Sequence, residues 1–180
     1  MIRQTVATVS LEAIQHNLRA VQDLLQRETP AGSKAPGAIA VIKANAYGHG
    51  ADRVGLTLEA AGASMLACAD IEEGVALRRA GVSIPLLVFG ALSVSDLAGV
   101  FDFNLTPTVS SPAAAAALED AAAARGQRLI CHLKIDTGMN RLGFRFDNLD
   151  RTMPAVLGSR HLTFEAVYTH FATEIGRAHV

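Results

Sequence analysis

No block of like charge interrupts this chain: 16 Lys and Arg residues nearly cancel 17 Asp and Glu, for a formal net charge of −1. A polyanionic surface, whether nucleic acid or anionic membrane, has nothing concentrated to meet, so the expected partner is a small molecule. Long apolar runs are missing too. No window approaches the ~18 apolar residues of a membrane span. The amino-terminal MIRQTVATVSLEAIQHNL has no continuous apolar stretch behind its positive charge, which argues against an export signal. Cysteine is scarce: Cys68 and Cys131 are too few and too far apart for a disulfide framework, and neither has a C-x-x-C partner or a cluster of zinc-ligating neighbours. These shortages imply a soluble, cytoplasmic chain with no metal site, whose two thiols are expected to be buried and inert. G-x-G-x-x-G after the first strand is also absent, which weakens a dinucleotide-binding reading.

Apolar surface is plentiful: 50 % of the 180 residues are apolar and 18 % charged, enough to core one domain or a large piece of one. A short β-like run, TVATVS, precedes Ser10, and Leu11, Ile14, Leu18, Val21 and Leu25 then recur at helical spacing behind that N-cap. AIAVIK reads as a buried strand ending at Lys43. Helical DRVGLTLEAAG, strand SMLACAD, helical IEEGVALRRAG with Gly81 as its stop, and strand IPLLVFG follow. SVSDLAGVFDF and NLTPTVS supply the next helix and strand. SPAAAAALEDAAAARG is a helix with Pro112 near its start, and QRLICHLKID and LTFEAVYTH are the last strands. Such alternation implies parallel βαβ units. About six strands run in series, so the expected class is α/β, and the expected fold is a partial (β/α)8 TIM-type barrel with about six of its eight strands. A complete barrel takes about 250 residues.

In that architecture ligands bind at the carboxyl ends of the strands. Lys43, Lys134, Asp136 and His170 all fall at or near such ends. Val41 and Ile42 before Lys43, with small turn-forming residues after it, suggest an amine entering a partly desolvated pocket, where it becomes usable as a nucleophile or base. Position alone also allows a lysine that snorkels to water. Tyr47 and His49, taken alone, read as loop residues.

The whole string AVIKANAYGHG resembles the signature of the alanine racemase family. A second block, KIDTGMNRLGF at residues 134–144, is similar to that family's K-x-D-T-G-M-x-R-L-G segment, and VYTHFAT at 167–173 resembles its following T-H-F-A strand end. The resemblance runs from near residue 5 to about residue 173. It implies pyridoxal 5′-phosphate as cofactor, with Lys43 as the lysine that carries it and as the catalytic acid/base on one face of the substrate Cα. It implies that the Tyr47 hydroxyl meets the cofactor phosphate, with Asn45, Gly48, His49 and Gly50 shaping the loop. Arg141 matches the arginine that meets the cofactor's phenolic oxygen and the substrate carboxylate, and Asp136, Thr137, Gly138 and Met139 look like the loop that presents it. Lys134 matches a lysine often found carbamylated, and His170 one that packs on the pyridine ring. His16, His132, His161 and His179 have no such context and are expected to be structural.

By the same resemblance the chain is an isomerase fragment. Residues 1–173 are expected to form an incomplete N-terminal barrel domain, without the C-terminal β-domain and opposite-face tyrosine that the family pattern carries. Residues 174–180 look like a translated sequencing adapter, a non-native tail. The intact parent is expected to be a cytoplasmic homodimer interconverting L- and D-alanine for peptidoglycan synthesis, with an amino-acid substrate and no nucleic-acid or membrane partner. The fragment itself is expected to be nearly inactive. A serine or broad-specificity racemase of the same fold, a fold-III decarboxylase and a non-catalytic cofactor-binding homeostasis protein are the alternatives.

Overall fold

The computed structural model describes residues 5–92 and 97–172, so the tail expected at 174–180, and His179 with it, lies outside the described residues. The chain divides into two compact units, residues 1–68 with 73–86, and residues 69–72 with 87–180.

The first unit begins with helix α1 (Leu11–Glu28), which starts where Ser10 accepts the Ala13 amide at 3.1 Å. That bond satisfies one of the helix's orphan donors. Leu18 is its buried residue, the helix packs against α3 (Ala51–Ala60), and Gln22 donates to the Gly62 carbonyl at 2.8 Å. Strand β1 (Ile39–Val41) pairs in parallel with β2 (Met65–Cys68), Ala40 opposite Leu66, and the ladder continues as the Ile42 amide donates to Ala67 O at 2.9 Å. All four β2 residues are buried. Two expectations change here. Residues 5–10 form no strand, and β1 is not wholly buried, since Ile39 and Val41 are 48 % and 43 % exposed. Strand side chains alternate between faces, and among the described residues nothing covers the face these two share, whereas Ile42, one step on, is 2 % exposed.

Helix α2 (Lys43–Gly48) follows β1, and α4 (Ile71–Arg79) leads toward β3 (Leu86–Val88). The second unit then runs α5 (Ala98–Asp102), β4 (Thr106–Val109), α6 (Pro112–Arg125), β5 (Leu129–Asp136), β6 (Phe144–Arg145), α7 (Leu149–Leu157) and β7 (Leu162–Tyr168). Leu87 pairs with Thr106, Thr108 with His132, and Leu129 with Leu162, all in parallel, so β5 lies between β4 and β7. The two-residue β6, which adds a seventh strand, pairs beyond them at Ile135 and Asp136. α6 is delimited as its sequence suggests. Ser111 caps it by accepting the Ala114 amide, Pro112 opens it, and Gly126 closes it at φ 62°, a left-handed conformation that favours glycine. Ala114, Ala115, Leu118 and Ala122 give it a buried face, and the small side chains permit close approach to the sheet. These parallel strands with interposed helices are the βαβ arrangement expected of a partial TIM-type barrel.

Candidate functional site

Beyond Ile42 the chain does something the strand pattern does not announce. Ala44, Asn45, Ala46 and Tyr47 have φ of 51°, 55°, 52° and 55°, a full turn of left-handed helix made without glycine. Such a conformation costs about 1–2 kcal/mol per residue, so it persists only where the surroundings over-determine it. The polar residues of the string supply that determination. Asn45 accepts the Ala51 amide on its Oδ1 at 2.8 Å, which caps α3. His49 Nδ1 lies 2.8 Å from the Ala46 carbonyl, making Nδ1 the protonated nitrogen. Backbone bonds from Ala46 N to Ile42 O and from Gly50 N to Asn45 O close the turn, and Gly48 and Gly50, at φ 83° and 90°, carry the chain out of it. Ala46 is buried, while Tyr47 stands 59 % exposed with its ring centroid 6.0 Å from Lys43 Nζ. Lys43 itself is half-buried. The string thus uses Asn, His and two glycines to hold a turn that sets an amine beside a phenol.

One contributor comes from elsewhere in the first unit. Glu73, on α4, accepts the Ala44 amide on Oε1 at 2.6 Å. Sequence reading missed it, because a glutamate in a first helical turn ordinarily serves the helix's own amides and dipole.

The second unit carries the other candidates. Lys134 on β5 is buried, 7 % exposed, with Nζ 4.5 Å from the centroid of the Tyr168 ring. The Tyr168 hydroxyl shares a 2.8 Å hydrogen bond with Thr108 on β4, so three strands contribute to one buried polar group. Burial lowers the Lys134 pKa, and the Arg141 guanidinium lowers it further, against the opposing pull of Asp136. Asp136 Oδ1 accepts the amides of Gly138 and Asn140 at 3.0 Å each, and these bonds hold its carboxyl below the usual range. They fold the loop back on itself. Gly143 completes the reversal at φ 127°, where an added Cβ would lie 2.8 Å from Asp136 N and 2.9 Å from Lys134 O. Thr137 Oγ1 meets Thr169 Oγ1 at 2.7 Å, tying the loop to the residue before half-buried His170.

Arg141 emerges from that loop, exposed, on an open cleft of 690 Å³ whose lining includes Ser110, Ser111, Asp136 and Arg145. Arg145 is engaged by Asp147 at 2.6 Å. The expected site residues therefore fall in two groups, Lys43 with Tyr47 in the first unit, and Lys134, Asp136, Arg141 and His170 in the second. His132 and His161 are tied to Glu165 at 3.0 Å and Glu119 at 2.9 Å. Both cysteines are buried, and burial pushes the Cys131 thiol up to about 12, which leaves it inert. Among the described residues no cluster of His, Cys, Asp or Glu could hold a metal ion, and no helix is long and apolar enough to cross a membrane.

Residues 9–179 match the family described as alanine racemase, N-terminal domain. The chain is 40 % identical over 171 residues to the alanine racemase of Carboxydothermus hydrogenoformans, covering 95 % of this chain and 44 % of that one. It is 38 % identical over 178 residues to alanine racemase 2 of Bacillus subtilis, covering 96 % and 43 %. Among solved structures, it superposes on the alanine racemase of a D-cycloserine-producing Streptomyces lavendulae with a TM-score of 0.80 at 28 % identity, over 93 % of this chain and 43 % of that one. A histidine racemase from Leuconostoc mesenteroides gives a TM-score of 0.78 at 29 % identity, over 91 % and 42 %. The fold is thus a partial TIM-type barrel, and the chain spans less than half the length of the curated relatives it matches.

Proposed function

The chain belongs to the alanine racemase N-terminal domain family, and from that premise we propose that it is the lysine-bearing part of a pyridoxal 5′-phosphate-dependent isomerase interconverting L- and D-alanine. The observation that carries the reading is the setting of Lys43: a half-buried amine just past a parallel strand, beside a tyrosine, at the start of a left-handed turn of the kind that clusters at functional sites.

The donors of each unit suit a phosphorylated aromatic aldehyde: a strand-end amine and a phenol in the first, a half-buried histidine and an arginine on an open cleft in the second. When bound, the cofactor supplies the electron sink that makes an amino acid's Cα–H labile. Lys43 would carry it and move the Cα proton at Nζ, and Tyr47 would donate its hydroxyl to the phosphate. Arg141 offers a fixed fork of donors to the cofactor's phenolic oxygen and the substrate carboxylate, with His170 against the ring. Lys134 is the proposed carbamylation site. Burial, and after it the repulsion of Arg141, already disfavour its cation, and a carbamate would replace that repulsion by attraction. Residues 1–173 are proposed as barrel, within a longer cytoplasmic protein that acts as a homodimer, takes an amino-acid substrate and supplies D-alanine for peptidoglycan.

The test is borohydride reduction and peptide mass mapping of the full-length gene product with pyridoxal 5′-phosphate, and, on a separate unreduced sample, assays of D/L interconversion on alanine, serine and histidine. The adduct is expected on Lys43, alanine is expected to turn over fastest, and Lys43→Ala is expected to abolish both. An adduct confined to another lysine overturns the assignment.

A further inference from the structure

The left-handed turn has an amide that its own bonds do not reach. Within the turn the first backbone bond runs from Ala46 N to Ile42 O. The Ala44 amide lies upstream of it, and Glu73 Oε1 takes that amide at 2.6 Å from 29 residues away. This amide belongs to the Lys43–Ala44 peptide, so whatever fixes it fixes the plane that sets the direction of the Lys43 side chain. Asn45 and His49 act on the later part of the turn, through Ala51 N and the Ala46 carbonyl. Glu73 acts at its root. The contact is direct, with no room for an intervening water. Glu73 is half-buried on α4, whose helical geometry limits where its carboxylate can go.

We propose that Glu73 is a positioning residue for Lys43, clamping the Lys43–Ala44 peptide so that the left-handed turn presents Lys43 and Tyr47 together. Naming Lys43 as the beneficiary rests on the function proposed above. The clamp itself rests on the geometry alone. Glu73 contributes an acceptor at a fixed reach, so the length of its side chain matters and its charge is secondary. Glutamine keeps both reach and oxygen. Aspartate keeps the charge but is one methylene short.

The experiment compares Glu73→Gln, Glu73→Asp and Glu73→Ala in the full-length gene product with two readouts. The first is hydrogen exchange at the Ala44 amide, resolved to the residue. Exchange is expected about tenfold or more faster in the Asp and Ala variants and within about threefold of the parent in the Gln variant, since a lost bond opens a local segment without global unfolding. The second is kcat/KM for racemisation, expected to fall about 10²-fold in the Asp and Ala variants, the scale of a displacement of about 1 Å at a reacting group, with rescue by Gln. Unchanged Ala44 exchange in the Asp and Ala variants overturns the clamp, as does a Gln variant as impaired as Ala. Parent-like kcat/KM in a folded Asp variant removes Glu73 from the positioning of Lys43. If the parent carries no cofactor on Lys43, the functional proposal fails on its own, and the exchange measurement still decides whether Glu73 holds the turn.

Discussion

Lys134 is a cation in conflict with its place. It is buried, 7 % exposed, and the nearby Arg141 adds repulsion that the Tyr168 face and Asp136 offset only in part, so its pKa falls. The folded state then binds fewer protons than the unfolded state between the lowered pKa and the ordinary lysine value of about 10.4, and in that window stability rises with pH. Below it the cost of the charge is fully present. Lys134→Met keeps the length and removes the charge, a kind of replacement that is often neutral or stabilising. In buffer freed of carbon dioxide and bicarbonate, where Lys134 is a free amine, it is therefore expected to raise thermal stability at pH 7, and the gain should shrink as the pH climbs through that window. Thermal melts of both proteins from pH 7 to pH 10.5 measure it. A Lys134 carbamate in the parent would reverse the sign at pH 7. At this scale the sequence offers candidates where a motif carries the residue: Lys43, Lys134, Arg141 and His170, proposed as site residues, are all marked by position in a string. Glu73, Thr108 and Tyr168 are not, because their partners lie 29 and 60 residues away and no local pattern encodes such a pairing.

Among the elements, strands with apolar runs and helices with clear caps were readable, and both Ser10 and Ser111 stand where the sequence placed an N-terminus. The two-residue β6 had no periodicity to show, and the β-like run at 5–9 has the composition of a strand without a partner among the described residues. The left-handed turn was the least legible element. Its glycines follow it, and alanine twice inside it argues from propensity for an ordinary helix. That conflict makes a prediction. Ala44 is exposed at φ 51°, so Ala44→Gly removes a left-handed penalty of about 1–2 kcal/mol while adding the entropy cost of about 0.5–1 kcal/mol that glycine brings. The net expectation is a stabilisation of roughly 0.5–1 kcal/mol by urea denaturation, where glycine in an ordinary helix destabilises. Gly143→Ala is the opposite case. Its φ of 127° and the backbone atoms within 3.0 Å of an added Cβ leave nothing flexible to yield. It is expected to cost about 2–3 kcal/mol, and to lower activity by displacing the loop that carries Arg141.

At the scale of the molecule, these 180 residues are short beside their relatives. Relatives such as the Carboxydothermus enzyme are more than twice as long, and this chain covers 44 % of it. Each unit also presents apolar side chains that nothing described here covers: Ile39 and Val41 on β1 in the first, Val167 and Phe171, 65 % and 70 % exposed, at the end of the second. Unpaired strand edges and exposed apolar side chains favour association, so the 180-residue chain by itself is expected to be poorly soluble. Racemisation needs proton transfer on both faces of Cα. Lys43 serves one face in the proposed function, and the family resemblance assigns the other to a tyrosine outside these residues. A general acid/base group typically contributes about 10²–10⁴-fold, so the chain alone, supplied with pyridoxal 5′-phosphate, is expected to convert L- to D-alanine at least about 100-fold more slowly than the full-length gene product. The two are to be assayed side by side at equal folded concentration, with free cofactor as the blank. A rate within about tenfold of the longer protein, less than ~1.4 kcal/mol of lost transition-state stabilisation, means that both proton-transfer groups lie within these 180 residues.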